Sequence, residues 1–138
     1  MAGPSRTAAV TVRWTRQLQF EGGGAGRPPI LVDGDSQAAT SPVEMLLLAA
    51  ASCSAADVVL ILQKQRVKLA ALEVVAQGTR RETEPRRYTA IRFGFTIRGE
   101  GADENKARRA IDLSLEKYCS VIASLAPDIQ ISYEVTVA

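Results

Sequence analysis

The stretch SPVEMLLLAAASCSAADVVLIL, Ser41 to Leu62, decides how the rest of the chain is read. It is the most apolar segment, and it opens with a helix-start signal. Ser41 is placed as N-cap, Pro42 at the first helical position, and Glu44 three residues after the cap. The run from Val43 to Leu62 has the length of a membrane span. Its polar content argues otherwise. Glu44 and Asp57 lie inside it, and each would cost about 2.5–3.5 kcal/mol near a bilayer centre. Ser52 and Ser54 flank Cys53, and Lys64 and Arg66 close the segment. A buried core helix is therefore expected. Its middle, Ala49 to Ala56, is nearly all small residues, which lets another helix approach closely. The helix is too apolar for a two-layer monomer, so a dimer burying it at its centre is expected.

Outward from this helix the pattern changes to strands. Towards the N-terminus, Val10, Val12 and Trp14 alternate with Thr11, Arg13 and Thr15, predicting a half-buried strand over Ala8–Thr15. A short strand is expected through Leu18 and Phe20, and another over Ile30–Val32. Between them, Gly22 to Pro29 holds four glycines and two prolines and reads as a turn. Towards the C-terminus, Leu72–Gln77 and Tyr88–Arg98 read as strands, the second placing Ile91, Phe93, Phe95 and Ile97 on one face. The pairs Arg80-Arg81 and Arg86-Arg87 read as an exposed hairpin end. Asp103 caps a second predicted helix running to about Ala126. Along it Ala107, Ile111, Ser114, Leu115, Tyr118, Ile122 and Leu125 follow helical spacing, and Pro127 stops it. A last strand carries Ile129, Ile131, Tyr133, Val135 and Val137 on one face. The expected fold class is α+β with antiparallel pairing, in a single domain over residues 1–138.

Composition limits the chemistry. The chain has 138 residues, 46% hydrophobic and 23% charged, which is ordinary for a globular domain. At this size about two-thirds of the unfolded surface can be buried without metal or disulfide staples. Seventeen Lys and Arg against fifteen Asp and Glu give a net charge of +2, no footprint for nucleic acid or an anionic membrane. There is no histidine, which removes histidine-based nucleophile pairs and imidazole metal sites. There are two cysteines, Cys53 and Cys119, too few for a four-cysteine zinc site or an iron–sulfur cluster. No metal or bound cofactor is expected. Met1 to Val10 does not read as a signal peptide, so a reducing cytoplasm is the expected compartment.

Both cysteines fall within predicted helices. They are either small buried apolar residues or a reacting pair. Cys53 lies between two serines, and Cys119 lies in Glu116-Lys117-Tyr118-Cys119-Ser120. Small polar neighbours suit a reacting group that must admit a substrate. A thiolate of lowered pKa attacks a peroxide oxygen without a general base, and a guanidinium stabilises both the thiolate and the leaving alkoxide. A second thiol then traps the sulfenic acid as a disulfide, which an external dithiol reduces. Two cysteines, abundant arginine and no histidine fit thiol peroxidase chemistry better than a thiol protease or acyltransferase.

The run Ser41 to Cys53, together with SLEKYCSV from Ser114 to Val121, resembles the OsmC/Ohr family of osmotically inducible and organic hydroperoxide resistance proteins. About 65 residues separate the two cysteines, in the family's order. The strand ending near Trp14, the Asp33-Gly34 turn and the strand after Pro127 extend the resemblance over nearly the whole chain. It implies an α+β fold of antiparallel sheets around two central helices. It also implies an intertwined homodimer with active sites at the interface. By position, Cys53 corresponds to the peroxidatic cysteine and Cys119 to the resolving one. The implied substrate is an organic hydroperoxide, and the implied reductant is an external dithiol, lipoyl-bearing proteins among them.

In the hydroperoxide-resistance branch the first motif reads Asn-Pro-Glu, and its glutamate orients a catalytic arginine. Here Val43 holds that third position and Glu44 follows, about 100° further round the helix. Glu44 is either a capping-box partner of Ser41, catalytic support, or both. The sequence looks closer to the family's Ser-Pro-x-Glu branch. The arginine candidates are Arg13, Arg16 and Arg27, with Arg16 preferred because it follows the first strand; each is otherwise a strand-edge charge. Asp57, one turn after Cys53, either points at the sulfur, where it would raise the thiol pKa and slow peroxide attack, or pairs with a basic residue or faces a polar pocket. The alternative functions are a non-catalytic ligand-binding or stress-associated protein of this fold, and a thiol redox sensor.

Overall fold

The computed structural model describes residues 6–138, so the reading of Met1 to Val10 lies partly outside the described residues. The chain divides into two compact units, one ending at Met45 and one running from Leu46 to Ala138.

The first unit holds a three-stranded antiparallel sheet of β1 (Thr11–Arg16), β2 (Gln19–Gly23) and β3 (Ile30–Asp33), with β2 in the middle. The β1–β2 turn is tight. Gln17 takes a positive φ of 49°, and its carbonyl accepts a 2.7 Å bond from Trp14 Nε1. The alternation of β1 is that of a strand, but its expected half-burial is not found. Val12 is 65% and Trp14 66% exposed.

The helix α1 (Pro42–Lys64) follows the bounds expected from its sequence. Its start is a capping box. Ser41 N–H and Oγ donate to Glu44 Oε1 at 3.0 and 2.8 Å, and Glu44 N–H donates back to Ser41 Oγ at 3.3 Å. By length and composition α1 could cross a membrane. It turns Ala50, Ala51, Ser54, Val58 and Leu62 into the second unit's core and leaves Leu48 and Leu60 more than half exposed.

The second unit packs α1 from Leu46 onward and α2 (Glu104–Leu113) on a sheet of β4 (Lys68–Arg80), β5 (Tyr88–Glu100) and β6 (Gln130–Val137), with β5 central. Ile91, Phe93, Phe95 and Ile97 of β5 are at most 1% exposed, as their alternation requires. They meet Val58 and Leu62 of α1 and Ala107, Ala110 and Ile111 of α2 in one core. Gly78 of β4 is required by this packing, since a Cβ there would strike the ring of Tyr88. The arginine pairs lie at the exposed β4–β5 hairpin end, where Arg87 pairs with Asp128 at 2.7 Å and Arg86 with Glu84 at 3.3 Å.

Two expectations are corrected. Pairing is not antiparallel throughout: β5 and β6 are parallel, from Ala90↔Gln130 to Ile97↔Val137. The chain leaves β5 at its far end and returns through α2, a crossover of the length that parallel pairing needs. Nor does the second helix run unbroken to Ala126. Asp103 caps it as expected, with Oδ1 accepting Lys106 N–H at 2.8 Å. The α-helix ends at Leu113, a π turn covers Ser114–Tyr118, and α3 (Ser120–Ala123) follows.

Candidate active site

Cys53 sits on an uninterrupted stretch of α1, half-buried. Cys119 does not lie within a helix. It has extended backbone (φ −73°, ψ 104°) between the π turn and α3, and is 3% exposed. The difference arises from the π turn, where Cys119 N–H bonds Ser114 O at 2.8 Å, five residues back instead of four. The geometry brings the two thiols together. Both are free, and Cys53 lies near enough to act on the Cys119 thiol. Burial pushes the Cys119 thiol above its ordinary value, and the neighbouring Cys53 pushes the same way. Two backbone groups oppose this: Ile122 N–H reaches Cys119 Sγ at 3.5 Å, and Val121 N–H acts in the same sense, both favouring charge on the sulfur.

Three polar side chains hold the surroundings in place, and sequence reading missed two of them. Ser54 and Ser114 are both fully buried, facing each other across α1 and the π turn. Ser114 Oγ lies 2.9 Å from Ser54 Oγ and 2.9 Å from Asp57 Oδ2. A carboxylate only accepts, so the Ser114 hydrogen goes to Asp57, and Ser54 donates to Ser114. Asp57 also faces a cavity of about 580 Å³, whose lining includes Lys64, Arg109 and Tyr118. The cavity is mixed, since Leu60, Ile61 and Leu113 line it too, and Asp57 is bonded there to Ser114. The available signal was a serine, Ser114, on an otherwise apolar helical stripe.

The remaining candidates belong to the first unit. Glu44 Oε1 is occupied by Ser41 and by Ser36 Oγ at 2.8 Å. These bonds, the backbone N–H of Ser41 first, hold the Glu44 carboxyl below its ordinary value. Asp33 organises the loop before α1, accepting backbone N–H groups of Ala38 (2.8 Å), Asp35 (2.9 Å) and Gln37 (3.2 Å). Those bonds lower its pKa. Arg16 ends β1 beside a register shift and is exposed. Arg13 pairs with Glu21 at 3.7 Å. Arg13 and Arg27 line a common hollow of about 340 Å³ beside Gly22, Gly23 and Gly24. Among the described residues no cluster of three or more Cys, Asp or Glu could hold a metal ion.

A long apolar helix with a central thiol, a sheet against it and a second thiol at a helix break define an α+β protein of the OsmC class. Residues 33–134 match the family described as OsmC-like protein, and the chain belongs to that family. It is 45% identical over 130 residues to Protein YhfA of Escherichia coli (strain K12), covering 92% of this chain and 97% of YhfA. A solved structure of a hypothetical protein from Aquifex aeolicus VF5 is 29% identical, with TM-score 0.84, covering 97% of this chain and 99% of that one. The fold is shared with the organic hydroperoxide resistance protein OhrB of Bacillus subtilis at 16% identity and TM-score 0.63, covering 94% and 98% of the two chains.

Proposed function

We propose that the protein is a thiol-dependent peroxidase that reduces organic hydroperoxides. The observation that carries this reading is the neighbourhood of the Cys53 and Cys119 thiols, close enough to act on each other, in a chain that has no histidine. The Cys53 sulfur attacks the distal oxygen of ROOH, the O–O bond breaks, and Cys53 sulfenic acid and ROH result. The Cys119 sulfur then displaces the sulfenic oxygen. Its thiol proton leaves with that oxygen as water, and a Cys53–Cys119 disulfide forms. A dithiol, lipoyl-type or other, supplies two electrons and two protons to restore both thiols. Burial keeps Cys119 protonated until this step, and Ile122 N–H supports the charge that develops on its sulfur.

Fold kinship with a protein named for organic hydroperoxide resistance supports the substrate class. Arg16 is our preferred group for the departing alkoxide, with Arg13 and Arg27 as rivals and Glu44 as its support. The working form is a cytoplasmic homodimer. Leu48 and Leu60 on α1, 56% and 59% exposed, and the small residues Ala49, Ser52 and Ala56 supply a face for a second copy. Sedimentation as a compact monomer at micromolar concentration would refute the dimer. The enzyme test is consumption of cumene hydroperoxide with dihydrolipoamide. The parent turns over and Cys53→Ser does not; equal rates would remove the assignment.

A further inference from the structure

Ser54 and Ser114 stand where apolar residues would be expected. Both have 0% exposure, in an interface whose other members include Val58, Leu62, Ala110 and Ile111. A buried hydroxyl carries a desolvation penalty unless its bonds are made. Here they are made with each other and with Asp57. Ser114 has a second attachment. It opens the π turn, and its carbonyl accepts the N–H of Cys119. One residue therefore binds α1 through its side chain and the second cysteine through its backbone. On α1 its partners are the immediate neighbour of Cys53 and the carboxylate one turn further on.

The π turn decides where Cys119 points. In an unbroken α-helix Cys119 N–H would bond the carbonyl of Leu115, and each one-residue change of register turns a side chain by about 100°. Isolated π turns interrupt α-helices, commonly at functional sites. We propose that Ser54, Ser114 and Asp57 form a latch that positions Cys119 on Cys53 for disulfide formation by holding the π turn against α1. The role deepens the peroxidase reading and rests on its pairing of the two thiols. The residues are positioning residues: they take no part in breaking the O–O bond, and the latch acts where the S–S bond forms and the sulfenic oxygen leaves as water.

The latch is tested without peroxide by equilibrating the thiol pair of the full-length protein with reduced and oxidised glutathione. Ser114→Ala and Asp57→Ala weaken the disulfide about tenfold relative to the parent, roughly 30 mV. Asp57→Asn keeps an oxygen that accepts from Ser114 and restores the parent value. With one equivalent of cumene hydroperoxide, dimedone then traps more Cys53 sulfenic acid in Ser114→Ala than in the parent. Unchanged glutathione equilibria in Ser114→Ala and Asp57→Ala would overturn the latch. So would an Asp57→Asn as impaired as Asp57→Ala, which would make charge, not geometry, the cause. If Ser114→Ala does not fold, the half-buried Asp57 pair of variants decides alone. A parent that forms the glutathione-driven disulfide but ignores hydroperoxide would remove the peroxidase reading and leave the latch standing.

Discussion

The two cysteines are carried by segments of opposite character. Cys53 rides on 23 residues of continuous α-helix, where the hydrogen-bond ladder fixes its direction. Cys119 sits at a break: ten residues of α-helix, a five-residue π turn, then a four-residue helix. The continuous helix makes a rigid platform whose position depends on core packing. The broken segment gives its cysteine a direction that no unbroken helix would, and in the proposed latch specific polar bonds keep it. On this proposal one thiol is placed by apolar burial and the other by a few hydrogen bonds. Changes on the two sides should fail differently.

The largest contrast is chemical. Cys53→Ser should lose hydroperoxide turnover down to the uncatalysed background. Cys119→Ser should still consume about one equivalent per site and then stall with Cys53 as sulfenic acid, scored by stopped-time peroxide assay and dimedone labelling. Equal behaviour of the two variants would erase the division of roles. Next comes Leu62→Ala, which removes a fully buried side chain on the α1 side and should cost about 2–5 kcal/mol in denaturant unfolding. A cost below about 1 kcal/mol would show that α1 is not held by its core face.

The broken side predicts a pH effect. The Cys119 thiol is raised above its ordinary value of 9.0 by burial and by Cys53. A thiol whose pKa is higher folded than unfolded adds stability below the unfolded value and loses it as pH rises through the folded one. Iodoacetamide alkylation of Cys119, followed by peptide mass spectrometry in Cys53→Ser, should therefore have a midpoint above 9.0 in the native protein, because burial remains. The midpoint should fall to the ordinary value in urea. A native midpoint at or below 9.0 would contradict the burial account. The smallest effect is at the start of α1. Ser41→Ala removes the capping hydroxyl and should cost about 1 kcal/mol, read as a shift in the denaturant midpoint.

The same contrast governs what the sequence makes legible. The bounds of α1 are readable because Ser41, Pro42, Glu44 and Lys64 are local signals that act on the backbone beside them. The inward face of β5 is readable because alternation survives folding unchanged. The break at Cys119 is not, since Leu115, Tyr118 and Ile122 keep helical spacing through the π turn. The bonds that the proposed latch makes responsible for it, Ser114 to Asp57 and to Ser54, reach 57 and 60 residues along the chain. The parallel β5–β6 pairing is hidden similarly, because alternation fixes a face and not a direction. Both cysteines are legible as a pair from the zero count of histidine and from their motifs. The exposure of Val12 and Trp14 is not, because the strand pattern says that a face is apolar without saying what covers it.

Intact-mass spectrometry of the reduced protein after one equivalent of cumene hydroperoxide tests the central claim most directly. A Cys53–Cys119 disulfide predicts the loss of two hydrogens, with the bond linking the peptides of those two residues after digestion. Two unmodified thiols, or oxygen added stably at Cys53 with Cys119 left free, would contradict it.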